Sequence, residues 1–122
     1  MKSFRDLKVW KKAHDLVLDV YKRTNDFPKD EFFSVAGAAR RDGVEIAARI
    51  ARGWGQRRNG DFPRFLFMAT GSAAELEYHL LLAKDLGLLA EPVYNDLQSR
   101  IEEIKPMLEA LIVRIKARNY GR

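Results

Sequence analysis

The sequence predicts an all-α protein, one domain over residues 1–122 folded as an antiparallel up-and-down four-helix bundle. Three observations predict it. Four separate runs repeat apolar residues at steps of three and four, the period of a helix with one buried face. No run alternates apolar and polar residues at period two, as a half-buried strand would. The runs are joined by short stretches holding proline, glycine or asparagine, and short connections make consecutive helices antiparallel neighbours. The spacing places helices over roughly residues 4–26, 32–57, 62–86 and 92–117.

The first helix opens on Ser3 with Asp6 three residues later, a capping-box pattern. Leu7, Trp10, Ala13, Val17, Val20, Tyr21 and Thr24 form its stripe, and Lys8, Lys11, Lys12, Asp15 and Asp19 its wet side. Phe27-Pro28 ends it. The acidic turn Lys29-Asp30-Glu31 leads into the second helix, where acids complement the N-terminal dipole. Phe32 and Phe33 are expected to cover the end of the core.

The second helix is the most informative stretch. At about 100° per residue, Ala36, Ala39, Val44, Ile46, Ala47, Ile50, Ala51 and Trp54 share one arc. Arg41, Glu45, Arg49 and Arg52 lie opposite, with Glu45 one turn from both Arg41 and Arg49. Arg40 projects into the apolar arc, where an unpaired guanidinium would cost several kcal/mol. It must snorkel to an edge, meet an acid from another helix, or face a water-filled cavity in an oligomer.

Asn59-Gly60 signals a turn, and Asp61 with Pro63 a helix start. The main stripe of the third helix is Phe62, Leu66, Ala69, Ala73, Leu76, Leu80 and Ala83, with Gly87 as its stop. A second stripe, Phe67, Ala74, Leu81 and Leu88, repeats every seven residues on another side. One helix of a lone bundle rarely needs two seams. Either this helix is the most buried of the four or its second face meets another subunit, and the second is the reading taken, since an exposed stripe invites association. Glu75, Glu77 and Asp85 are candidates to receive arginines, and Glu77 is placed to meet Arg40 of its own or a neighbouring chain. In the fourth helix Leu97, Ile101, Ile104, Leu108, Leu111 and Ile115 form the seam. It stays in phase across Pro106, which predicts a bend without a break. The basic tail from Lys116 is expected to fray.

The net charge of +5 and pI near 9.6 favour polyanionic partners. The charge is uneven. Between positions 40 and 64 seven arginines face only Asp42, Glu45 and Asp61, a local +4. The absence of cysteine excludes disulfide and thiolate chemistry. The charged N-terminus is no signal peptide and no apolar run approaches membrane-spanning length, so no membrane is expected and the cytoplasm is the default location.

No catalytic or cofactor pattern is complete in the sequence. Gly53-Trp54-Gly55 with Gly60 forms neither a dinucleotide fingerprint nor a phosphate loop, since Asp61-Phe62 stand where Lys and Ser/Thr belong. His14 and His79 have acids nearby, Asp15 and Glu75, but no third ligand, so no metal is expected. No serine, histidine and acid share a face as a nucleophile requires. The chain is therefore expected to be no enzyme, with no cofactor and no small-molecule substrate.

Several separated blocks resemble one bacterial family. They are Phe4-Arg5-Asp6-Leu7-Lys8-Val9-Trp10-Lys11-Lys12-Ala13-His14, Phe27-Pro28, Arg40-Arg41, Ile46, Ile50-Ala51, Gly53 and Gly55. Phe65-Leu66, Gly71-Ser72, Glu75-Leu76-Glu77, Leu82-Ala83, Leu86-Gly87 and Leu89 complete them. Together they resemble the four-helix-bundle family of 23S rRNA-intervening-sequence proteins. The resemblance implies a ring-like homopentamer and, more distantly, likeness to the basic accessory proteins of diversity-generating retroelements, which bind nucleic acid and a reverse transcriptase. It carries no catalytic residue. Where the family has Ser-Ile-Pro-Ala-Asn-Ile-Ala-Glu-Gly, this chain has Glu45-Ile46-Ala47-Ala48-Arg49-Ile50-Ala51-Arg52-Gly53. The lost proline should straighten the helix, and Arg49 and Arg52 raise its charge.

Two functions follow from these readings. One is a non-catalytic oligomer that binds RNA or DNA phosphates through Arg41, Arg49, Arg52, Arg57 and Arg58, with Trp54 either in the core or stacked on a base. The other is a protein-interaction scaffold whose arginines are satisfied by acids across subunits. The interface expected in both is Phe67, Ala74, Leu81 and Leu88, with Arg40 and Glu77.

Overall fold

The computed structural model describes residues 1–31 and 35–120. Four helices carry the fold: α1 Lys8–Thr24, α2 Gly37–Gly55, α3 Phe62–Asp85 and α4 Glu91–Tyr120. Each packs on the next in sequence, and α4 closes the circuit against α1. That is the up-and-down arrangement expected from the short connections. The expected cover from Phe32 and Phe33, and the first turn of the second helix, lie outside the described residues.

The capping box forms, but on a separate turn. Ser3 Oγ accepts from the Arg5 N–H at 3.1 Å, and Asp6 Oδ2 accepts from the N–H groups of Lys2 (2.8 Å) and Ser3 (3.1 Å). These bonds close a 3₁₀ turn, Phe4–Asp6, after which Leu7 is extended and α1 begins at Lys8. Within α1, Leu16 is fully buried and Tyr21 is exposed, so the core face is rotated slightly from the expected stripe.

All seven residues of the main α3 stripe are buried, as are Leu97, Ile101, Ile104 and Leu108 of α4. Leu111 and Ile115 are only half-buried, and Ile112 takes the core position beside them. The fourth helix runs unbroken through Pro106 and past 117 to Tyr120. Gly87, in the left-handed region at φ +78°, ends α3, and the Leu88 N–H reaches back to the Ala83 carbonyl at 2.8 Å.

In α2 the expected arc needs one correction. Val44 is 41% exposed, whereas Asp42 is buried at 2% and Gly43 lies against Val17 of α1. The buried face is therefore displaced toward Asp42, because α2 is wedged between α1 and α3. It approaches α3 closely at Gly53. A Cβ there would stand 2.8 Å from Phe62 Cδ1 and 3.0 Å from Phe65 Cβ. Gly53→Ala is accordingly expected to lower stability by roughly 1 kcal/mol, the overpacking cost exceeding alanine's better helix propensity. Gly55→Ala, with no atom within 4 Å, should be neutral or stabilising. Thermal melts of the two variants read the difference.

Candidate functional site: an arginine-lined cleft at one end of the bundle

The topology brings the end of α2, the start of α3 and the end of α4 to the same end of the bundle. There α2 stops at Gly55, a 3₁₀ turn spans Arg57–Asn59, and Gly60 turns the chain at φ +79°. The Gln56 N–H returns to the carbonyls of Arg52 (3.0 Å) and Gly53 (3.1 Å), and Asn59 Nδ2 donates to Gln56 Oε1 at 2.7 Å. This turn fixes where Arg57 and Arg58 emerge. Trp54 is half-buried beneath them, edge-on to Phe62 with ring centroids 6.2 Å apart.

Between this turn and α4 lies a cleft of about 710 Å³. Its apolar lining includes Trp54, Phe62, Leu111 and Ile115, and its charges are Arg57, Arg58, Arg114 and Arg118. No acid lines it among the described residues. Arg58, Arg114 and Arg118 have no hydrogen bond or ion pair among those residues. Arginine stays protonated at any physiological pH, so the cleft is permanently cationic. The nearby acids are already engaged: Asp61 pairs with Arg64 at 3.5 Å. The backbone N–H groups of Lys2 and Ser3 hold Asp6 below the usual carboxylate range.

Of the five arginines expected to bind nucleic acid, Arg57 and Arg58 line the cleft and the other three do not. Arg49 pairs with Glu45 at 3.5 Å, Arg52 lies over the Phe65 ring at 5.0 Å, and Arg41 is exposed. The reason is geometric. Arg41 is thirteen residues from Trp54 along one helix, about 20 Å at 1.5 Å per residue. Arg114 and Arg118 take their place. They form an i,i+4 pair in the last turns of α4, where cations also complement the helix dipole.

Arg40 does snorkel, and α1 supplies partners for it. Its Nε donates to Thr24 Oγ1 at 2.8 Å and its Nη2 to the Tyr21 carbonyl at 3.1 Å, with the guanidinium 4.6 Å from the Tyr21 ring. It thus satisfies a carbonyl at the C-terminus of α1. Within the chain Glu77 does not meet it. Glu77 accepts from Lys105 Nζ (2.8 Å) and Gln98 Nε2 (2.6 Å). Burial pushes its carboxyl up, but those two bonds outweigh it and hold Glu77 below its ordinary value.

The second α3 stripe divides. Leu88 is half-buried against the core, whereas Phe67 (53%), Ala74 and Leu81 (38%) are exposed. Lys116 Nζ stands 4.8 Å from the Phe67 ring centroid. The protomer leaves this seam largely uncovered.

A polar seam also joins α2 to α3. His79 Nδ1 contacts Asp42 Oδ2, and Ser72 Oγ donates to Glu45 at 3.4 Å. Glu75 is the other acid beside Asp42. Burial drives the Asp42 carboxyl up, contact with His79 pulls the other way, and Glu75 adds to the rise; the net direction is upward from 3.8. A carboxyl raised by folding adds stability below its unfolded value and loses it as pH climbs through the folded one. The melting temperature of the native chain minus that of Asp42→Asn is therefore expected to grow as pH falls from 7 toward 4. Shrinkage over that range would contradict the assignment. Among the described residues, no three His, Asp or Glu side chains converge as metal ligands, and no helix is long and apolar enough to cross a membrane.

The family model for 23S rRNA-intervening sequence proteins matches residues 5–110, leaving Arg114 and Arg118 beyond the matched segment. No curated protein matches the chain. A crystal structure from Bacteroides thetaiotaomicron VPI-5482, described as a protein of unknown function from the S23 ribosomal protein family, has the same fold. It aligns at a TM-score of 0.77 and 22% identity, covering 85% of this chain and 94% of that one.

Proposed function

The chain belongs to the 23S rRNA-intervening sequence protein family, and we propose that it is a non-catalytic, basic protein that binds RNA or DNA phosphates at the arginine-lined cleft. One observation carries this reading: four guanidiniums converge on one cleft whose described lining holds no acid. Phosphate is the ligand that such a set of fixed cations favours most. A catalytic role gains no support from the polar seam. Ser72 Oγ donates to Glu45 and the Met68 carbonyl, and His79 is in contact with Asp42, so the three do not form a Ser–His–Asp chain.

The test is the anisotropy of a labelled single-stranded RNA across a salt series. Four phosphate contacts on a single strand give a log–log slope of about −3. No binding at 50 mM salt, or binding indifferent to salt, would remove the reading.

The uncovered seam on α3 supports a second element of the proposal, self-association through Phe67, Ala74 and Leu81. In a ring-like pentamer, five copies of the cleft would share one polyanion, and each added site would raise avidity. The same seam, without nucleic acid, supports the scaffold reading.

A further inference from the structure

We propose that Arg57, laid on Trp54, is a stacking platform for one unpaired base, so that the cleft takes single-stranded nucleic acid in preference to duplex. This rests on the phosphate-binding reading and specifies the ligand of the same site. The Arg57 guanidinium carbon is 3.9 Å from the Trp54 ring centroid, a van der Waals stacking separation. Elsewhere arginines sit looser on rings, at 5.0 Å for Arg52 and 4.6 Å for Arg64, both on Phe65. Two further restraints hold the pair. Arg57 Nη1 donates to the Trp54 carbonyl at 2.8 Å, and Phe62 braces the indole edge-on.

The result is a guanidinium held over an aromatic ring, on a residue that is otherwise exposed. Arginine planes and aromatic rings are the two surfaces on which unpaired bases stack. The cleft beside it, about 710 Å³, is within the size range of sites that enclose one small ligand. Arg58, Arg114 and Arg118 line the same cleft and supply cations for the phosphates flanking a stacked base. A duplex keeps its bases paired inside and offers this site phosphates alone, unless a base is flipped out.

Three labelled probes with equal phosphate number test the proposal on the full chain: a deoxythymidine 12-mer, an abasic 12-mer and a hairpin duplex. The thymidine strand is expected to bind about tenfold tighter than the abasic strand. In Arg57→Lys, which keeps the charge and loses the plane, that advantage should vanish. In a Trp10→Phe background, which leaves Trp54 as the remaining tryptophan, the thymidine strand should quench fluorescence and the abasic strand should not. Equal binding of thymidine and abasic strands, a duplex bound as tightly as the single strand, or an unchanged preference in Arg57→Lys overturns the platform. Salt-dependent binding without base preference would sink the platform and leave phosphate binding standing. No binding by any probe at 50 mM salt removes both.

Discussion

Reversing Arg58 and Arg114 together to glutamate is expected to weaken single-stranded RNA binding about a hundredfold at 50 mM salt and to flatten its salt slope by about 1.4. Each residue reaches the cleft from a different element, Arg58 from the turn after α2 and Arg114 from α4. Neither has an ion pair or hydrogen bond among the described residues, so reversal breaks no internal contact. The loss is therefore one of phosphate contacts, with repulsion added. Stability should fall by no more than about 1 kcal/mol, mainly because a glutamate at position 114 opposes the α4 dipole. Arg41→Glu with Lys22→Glu makes the same change in net charge, and both residues are exposed outside the cleft. If that control loses as much affinity, overall charge is responsible and the cleft has no special role.

The reading from sequence succeeded where periodicity governs. The main stripe of α3 is one continuous pattern, and every member of it is buried. The turn signals at Asn59-Gly60 and Gly87 were equally legible, because a positive φ selects glycine. What failed to show was anything set by contacts between distant positions. Asp42 and His79 are 37 residues apart, and neither neighbourhood announces the other. Asp42 enters the sequence reading only as a charge among positions 40–64, and His79 only with Glu75 as an incomplete pair of ligands. Arg40 needs an outlet on the sequence alone, but the two α1 groups that accept from it lie 16 and 19 residues earlier.

The site itself shows the same limit. Grouping arginines by nearness in sequence gathered Arg41, Arg49 and Arg52, which the rise of one helix spreads apart. Grouping them by the end of the bundle they occupy joins Arg57 and Arg58 to Arg114 and Arg118. The second rule needs only the up-and-down topology, which the sequence did predict. Arg118 falls in the basic tail from Lys116, and Arg114 carries no reading of its own in the sequence.

Phe67→Asp with Leu81→Asp is expected to convert an associated protein to a protomer of 14.1 kDa, measured by sedimentation over a concentration series. The native chain, if it forms the proposed pentamer, should sediment at five times that mass. Burying the exposed parts of Phe67 and Leu81 contributes roughly 1.5–3 kcal/mol at one interface. Their replacement by aspartate, which adds the cost of burying a charge, should weaken association about a hundredfold. Both side chains are substantially exposed in the protomer, so the fold should lose little beyond the Lys116 contact with the Phe67 ring. A native chain that stays at 14.1 kDa at high concentration would refute self-association through α3. It would not refute nucleic-acid binding, because all four arginines and Trp54 come from one chain. The two proposals stand apart, and the double aspartate variant separates them: it should keep the intrinsic affinity of one cleft for a short strand and lose the avidity for a long one.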